Sequence, residues 1–172
     1  MRTMQEEANA TRASLLAVIE KLTEEELNRA PQADVWSISQ IVQHVAMVEA
    51  GVVPVIRLGV AQEATFEGVD GTLESKYEDR SHKFNAPEGY LPLSDFMTKH
   101  QLIAQLQHSH DHLAKALNKV EDVDLLEKSS PPVPHPVFGY MSTKQWIVLA
   151  RRHEERHMQQ MEEVLKQLQI TK

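Results

Sequence analysis

The sequence contains no cysteine. Disulfides, thiolate metal sites and a cysteine nucleophile are therefore excluded, and soft-metal chemistry must rest on imidazole or on a thiol brought from outside. Positive charge is also scarce: 18 Lys and Arg stand against 25 Asp and Glu, and the net −7 would repel phosphate backbones and anionic lipid surfaces. Nucleic acid and membranes are thus poor partners, and a small-molecule substrate is expected. No stretch approaches the ~18 uninterrupted apolar residues of a membrane span. The opening MRTMQEEANATR lacks the apolar centre of a signal peptide, so a cytoplasmic location is the default expectation. Strand-like alternation is missing as well.

What is present is helical periodicity. The 172 residues are enough for one domain, 1–172, with a real core. Four segments carry apolar residues at helical spacing, and most prolines and glycines fall between them, which predicts an all-α four-helix bundle. The first runs from about Met4 to Leu22 on a stripe of Met4, Ala8, Thr11, Leu15, Val18 and Leu22, followed by a capped extra turn at Thr23 and Glu24–Glu26. The second begins at an N-cap of Ser37 or Ser39 and carries Ile38, Ile41, Val45, Val48, Val52 and Val55, with Pro54 predicted to kink or end it.

From Gly59 to Leu93 the pattern is lost and acidic residues accumulate (Glu63, Glu67, Asp70, Glu74, Glu78, Asp79). The stretch is too long for a simple connection and predicts a crossover that wraps the bundle or touches function. Ser94 is the predicted cap of a third helix, with Phe96, Ile103, Leu106, His110, Leu113 and Leu117 on its stripe and an end near Val120. After the proline-rich SSPPVPHPVFGY, Ser142 and Gln145 form a capping-box pair. They open a fourth helix striped by Trp146, Leu149, His153, His157, Gln160, Val164 and Leu168.

His153 and His157 stand four apart, so one helix face stacks both imidazoles within reach of a single ion. The run HEERH matches H-E-x-x-H. Both histidines lie on the apolar stripe, where unpartnered imidazoles would be costly. His44, three after Ile41 and four before Val48, sits at the inward edge of the second helix and is the best third ligand. Three neutral nitrogens leave coordination positions open, a catalytic rather than a closed structural composition that suits zinc, nickel or another borderline divalent ion. The competing reading of the pair is a surface coincidence, and that of His44 a hydrogen-bonded core histidine. In HSHDH, His108 and His112 phase with Gln101, Gln105, Lys115 and Lys119 and read as solvated, while His110 reads as a core residue or as support for the site. Nothing in their spacing singles out His82, His100 or His135.

The segments WSISQIVQHV (Trp36–Val45), HPVFGYMSTKQW (His135–Trp146) and HEERHMQQ (His153–Gln160) resemble the DinB/YfiT-like superfamily. The resemblance covers nearly the whole chain. It implies an up-down-down-up bundle with a long crossover between the second and third helices, His44, His153 and His157 as ligands of a nickel- or zinc-type ion, and frequently a homodimer. Relatives include transferases that join a low-molecular-weight thiol, such as bacillithiol or mycothiol, to an electrophile, together with isomerases and metal-dependent hydrolases.

Three functions fit these residues. The first is a thiol S-transferase, in which the ion turns an external thiol cosubstrate into the nucleophile that the chain lacks. The second is a hydrolase whose metal-bound water gives its proton to Glu154 as catalytic base, against the alternative that Glu154 is a solvated helix glutamate. The third is a non-catalytic module that binds a small molecule through the metal. Arg151, Arg152 and Arg156 could recognise an anion near the site, although their phase favours solvent. A zinc protease is disfavoured, because the residues after His157 continue the same helix and provide no separate third ligand. Trp36 and Trp146 read as packing residues, and the HPVFG loop as a roof that would make His135 or Tyr140 a support behind the metal ligands or a substrate contact.

Overall fold

A computed structural model describes residues 3–61, 85–120 and 122–170. Four long helices dominate: α1 (Met4–Glu20), α3 (Ile38–Val60), α4 (Lys99–Leu117) and α6 (Thr143–Gln167). Two short ones, α2 (Glu24–Asn28) and α5 (Val123–Lys128), and a 3-10 turn at Glu88–Tyr90 connect them. Each long helix opens on a capping box: Thr3 with Glu6, Ser37 with Gln40, Thr98 with Gln101, and Ser142 with Gln145. Each pair satisfies two backbone N–H groups that a helix start would otherwise leave open. No strand occurs among the described residues.

Helices α1 and α3 lie diagonally opposite, each packed mainly on α4 and α6. Buried residues cover most of α3: Ile38, Ile41, Val42, Val45, Val52, Val53 and Ile56 all face neighbours. By length and composition α3 could cross a membrane, with a mean hydropathy of 1.5, but 56% of that apolar window is buried in the bundle and the packing accounts for it.

The core has two apolar ends. One is built on Leu15, Ile19, Ile41, Leu102, Leu106 and Val164, the other on Val53, Ile56, Leu113, Leu126, Trp146 and Leu149. Between them lies a buried polar belt of Arg12, His44, Glu49, Ser109, His153 and Glu154. Arg12 of α1 ties the belt together. Its Nη2 is 2.8 Å from Glu49 on α3, its Nε is 2.9 Å from Glu154 on α6, and its Nη1 donates to the Leu106 carbonyl on α4. Ser109 and His110 complete the shell around Glu49.

Several expectations need correction. Pro54 does not end α3; the helix runs on to Val60, because Ala50 and Pro54 both face solvent and water can take the carbonyl that proline leaves unpaired. Helix α4 is capped by Thr98 and not by Ser94. The Asn28 side chain bonds both the N–H and the C=O of Met97, at 3.0 and 2.8 Å, which holds that residue outside the first turn. Phe96 is accordingly exposed and not on the core stripe. The helix ends at Leu117, short of Val120. Helix α5 is absent from the sequence reading altogether. Most of the predicted crossover, with its acidic residues and His82, lies outside the described residues.

Replacing Arg12 with Met would keep the volume but leave Glu49 and Glu154 buried without their cation. We expect a loss of about 3–5 kcal/mol, read from urea denaturation against the native chain. A loss below about 1 kcal/mol, the range of an exposed pair, would show that the belt does not depend on Arg12.

Candidate metal centre

Helix α3 supplies His44, and α6 supplies His153 and, one turn later, His157. His153 Nε2 stands 3.2 Å from His44 Nε2 and 3.1 Å from His157 Nε2. A ligand nitrogen from each of the three lies within 4.8 Å of the others. The outer ring nitrogens of His44 and His157 are occupied. His44 Nδ1–H donates to the Tyr90 carbonyl at 2.8 Å, and His157 Nδ1–H donates to Gln160 Oε1 at 2.7 Å. With the proton fixed on Nδ1, the Nε2 lone pairs of both rings face His153.

This donor set fits a divalent ion. For nitrogen bonds of about 2.0–2.1 Å, neighbouring ligands on one ion stand about 2.9 Å apart in octahedral and about 3.3 Å apart in tetrahedral geometry. The two measured separations fall in that interval. His44 and His153 are buried and His157 is half-buried, so the centre opens on one side.

The supports come from elements distant in sequence. Trp36, just before α3, packs its ring 5.1 Å from that of His44. Tyr90 lies against α3 at Gly51, where a Cβ would stand 2.5 Å from the Tyr90 hydroxyl oxygen. Gly51 is seven residues past His44 on the same face, so its bare backbone admits Tyr90 and places the Tyr90 carbonyl on His44. The Tyr90 and Gly51 contacts are not readable in the sequence, whereas packing was the expected role of Trp36. Gln160 had a signal, three residues after His157 on the same stripe, but its role as a ring anchor was missed.

The other named residues separate from the three histidines. Glu154 is only 5% exposed, and both carboxylate oxygens contact Arg12, at 2.9 and 3.1 Å. The solvated reading of Glu154 therefore does not hold. Arg151 and Arg152 pair with Glu155. The rings of His108 and His112 meet edge to face at 4.2 Å on the outer side of α4, away from the buried belt. His110 belongs to the belt and not to the apolar core, with Nδ1 on Glu49 at 3.3 Å and Nε2 on Asn9 at 2.8 Å.

Burial dominates the electrostatics. Desolvation lowers the pKa of His44 against the opposing hydrogen bond to Tyr90. It lowers His153 much further, reinforced by the neighbouring charges of His157, His44 and Arg156. Burial by itself would raise Glu49, but hydrogen bonds from His110 and Ser109 and the charge of Arg12 bring it below its usual range. For His44 and His153 the unfolded state takes up protons at a pH where the folded state does not. Their contribution is therefore complete above the unfolded value of about 6.5 and is lost as pH falls towards the depressed folded values. In chelator-treated protein, urea midpoints should drop between about pH 7 and pH 5, and His153→Gln should flatten that slope. An equal slope in the variant would mean that His153 is not a buried neutral group.

Comparisons with known proteins agree with this layout. A profile of the DinB superfamily matches residues 7–161. The uncharacterized protein YuaE of Bacillus subtilis strain 168 is 27% identical over 161 residues, covering 94% of this chain and 96% of that protein. Among solved structures, YfiT from Bacillus subtilis, described as a probable metal-dependent hydrolase with an unusual four-helix bundle topology, superposes with a TM-score of 0.66 at 15% identity, over 98% of this chain and 87% of its own. TT2238, a four-helix bundle protein, gives 0.59 at 18% identity over 93% and 96%. With four capped helices around a buried polar belt and a profile match over most of its length, the chain belongs to the DinB superfamily.

Proposed function

We propose that this protein is a divalent-metal-dependent enzyme, most simply a transferase that joins a low-molecular-weight thiol to an electrophilic small molecule. The observation that carries the reading is the convergence of His44, His153 and His157, with the outer nitrogens of His44 and His157 anchored. A zinc- or nickel-type ion held there would supply Lewis acidity, lowering the pKa of a coordinated thiol or water.

The chain's own residues then have limited tasks. The Tyr90 carbonyl and Gln160 fix the imidazole tautomers, and the apolar ends of the bundle restrict water. Among the described residues, Glu154, the carboxylate next to His153, is held by Arg12 and is not a free base. That favours a nucleophile that arrives as an acidic external group over water that needs a carboxylate to accept its proton. Glu154 is best read as a structural carboxylate. A cytoplasmic setting, where such thiols are kept reduced, and a homodimer belong to the same proposal.

The second reading is a hydrolase. It is supported by the description of the similar YfiT structure, and here it would need a base other than Glu154.

Two measurements test the proposal. Elemental analysis of untagged protein should find about one equivalent of divalent metal, lost in His44→Ala and in His157→Ala. Gly51→Ala should keep its helical content but bind the ion about 10–100-fold more weakly, because Tyr90 no longer supports His44. No metal after reconstitution would end the metal reading, and unchanged affinity in Gly51→Ala would remove Tyr90 from it.

Metal-loaded protein should also accelerate consumption of monobromobimane with at least one of a panel of low-molecular-weight thiols, and Glu154→Gln should retain that activity. Metal-dependent hydrolysis of ester or amide substrates without thiol would favour the hydrolase instead, and its loss in Glu154→Gln would overturn the structural reading of Glu154.

A further inference from the structure

The HPVFG loop holds a histidine to which the proposed chemistry assigns no task. His135 and Gly139 exchange backbone hydrogen bonds of 2.7 and 2.9 Å, and Gly139 closes the turn at φ +70°. Within the turn, the N–H groups of Val137 and Phe138 both donate to His135 Nδ1, at 3.1 and 3.3 Å. A nitrogen that accepts two hydrogen bonds carries no proton, so the neutral ring bears its hydrogen on Nε2, on the edge turned away from the loop.

The ring is also immobilised. It stacks on Phe138 with centroids 4.8 Å apart and leans on Trp146 at 5.3 Å. Burial lowers its pKa to about 4, which keeps it neutral at physiological pH. The Nε2–H has no acceptor among the described residues. Trp146, whose own buried Nε1–H also lacks an acceptor, lies two turns before His153 on the same face of α6. This face of α6 therefore has, beside Trp146, a fixed N–H donor on His135 for which no described residue supplies an acceptor, while Glu154 and Glu155 are turned to arginines.

We propose that His135 is a substrate-binding residue whose Nε2–H receives a carbonyl or carboxylate oxygen at the far end of a small anionic substrate, the near end lying at the three-histidine centre. The inference rests on the metal-dependent reading above and narrows its substrate class. A donor locked in one tautomer and one orientation loses nothing to reorganisation on binding, which is why such groups discriminate between ligands.

Two experiments test it. Long-range 1H–15N spectra of chelator-treated protein should show His135 with hydrogen on Nε2 alone across about pH 6–8; hydrogen on Nδ1 would overturn the proposal whether or not metal binds. Calorimetry on zinc-loaded protein would compare acetate with malonate, succinate and glutarate. At least one dicarboxylate should bind about tenfold tighter than acetate, and that preference should fall within about threefold in His135→Phe and largely survive in His135→Gln, which keeps an N–H at the same reach. An unchanged preference in His135→Phe, or none in the native chain, would overturn it while leaving zinc and acetate binding, and hence the metal reading, intact. Failure of zinc to bind at all would instead sink the metal reading, and the tautomer measurement would still decide the state of His135.

Discussion

One guanidinium group sets the relation of all four long helices. Arg12 on α1 reaches across the diagonal of the bundle to Glu49 on α3, pairs with Glu154 on α6 and donates to the Leu106 carbonyl on α4. Charged groups taken out of water are stable only when their partners stand at hydrogen-bonding distance. A sliding of any helix by one residue would break at least one of these contacts. Apolar packing at the two ends supplies the driving force, but it tolerates more adjustment than the belt does.

The same constraint assembles the histidines. Glu154 adjoins His153 in sequence, and Glu49 lies five residues after His44. Fixing the two carboxylates on Arg12 fixes the height and rotation of α3 relative to α6, and the imidazoles on the adjoining faces then meet at 3.2 Å. The glutamate of H-E-x-x-H thus has a role here that the motif does not announce. It holds, through Arg12, the helix that carries two of the three histidines.

Much of this was legible in the residues. The four helices follow from period and caps, since Thr or Ser three residues before Glu or Gln satisfies a helix start locally, whatever surrounds it. His44, His153 and His157 could be chosen from inward phase. The misses share a cause. Arg12 was passed over because a charged residue is ordinarily read as solvent-facing, and its burial depends on carboxylates 37 and 142 residues away. Ser94 was preferred to Thr98 because the grip of Asn28 on Met97 spans 69 residues.

The sequence by itself determined that there are four long helices, which face of each is apolar, and that imidazole, with no cysteine present, is the chain's candidate ligand for a borderline divalent ion. These are properties of neighbours within a turn or two, and the period of the helix makes them readable. Only the tertiary structure decided that Tyr90 orients His44, that Gly51 is bare so that it can, that Glu154 turns to Arg12 and that His135 keeps its proton on Nε2. Each of these depends on where a backbone carbonyl, an N–H or a charge from a remote segment arrives. That position is set by packing of the whole bundle and leaves no periodic trace in the chain.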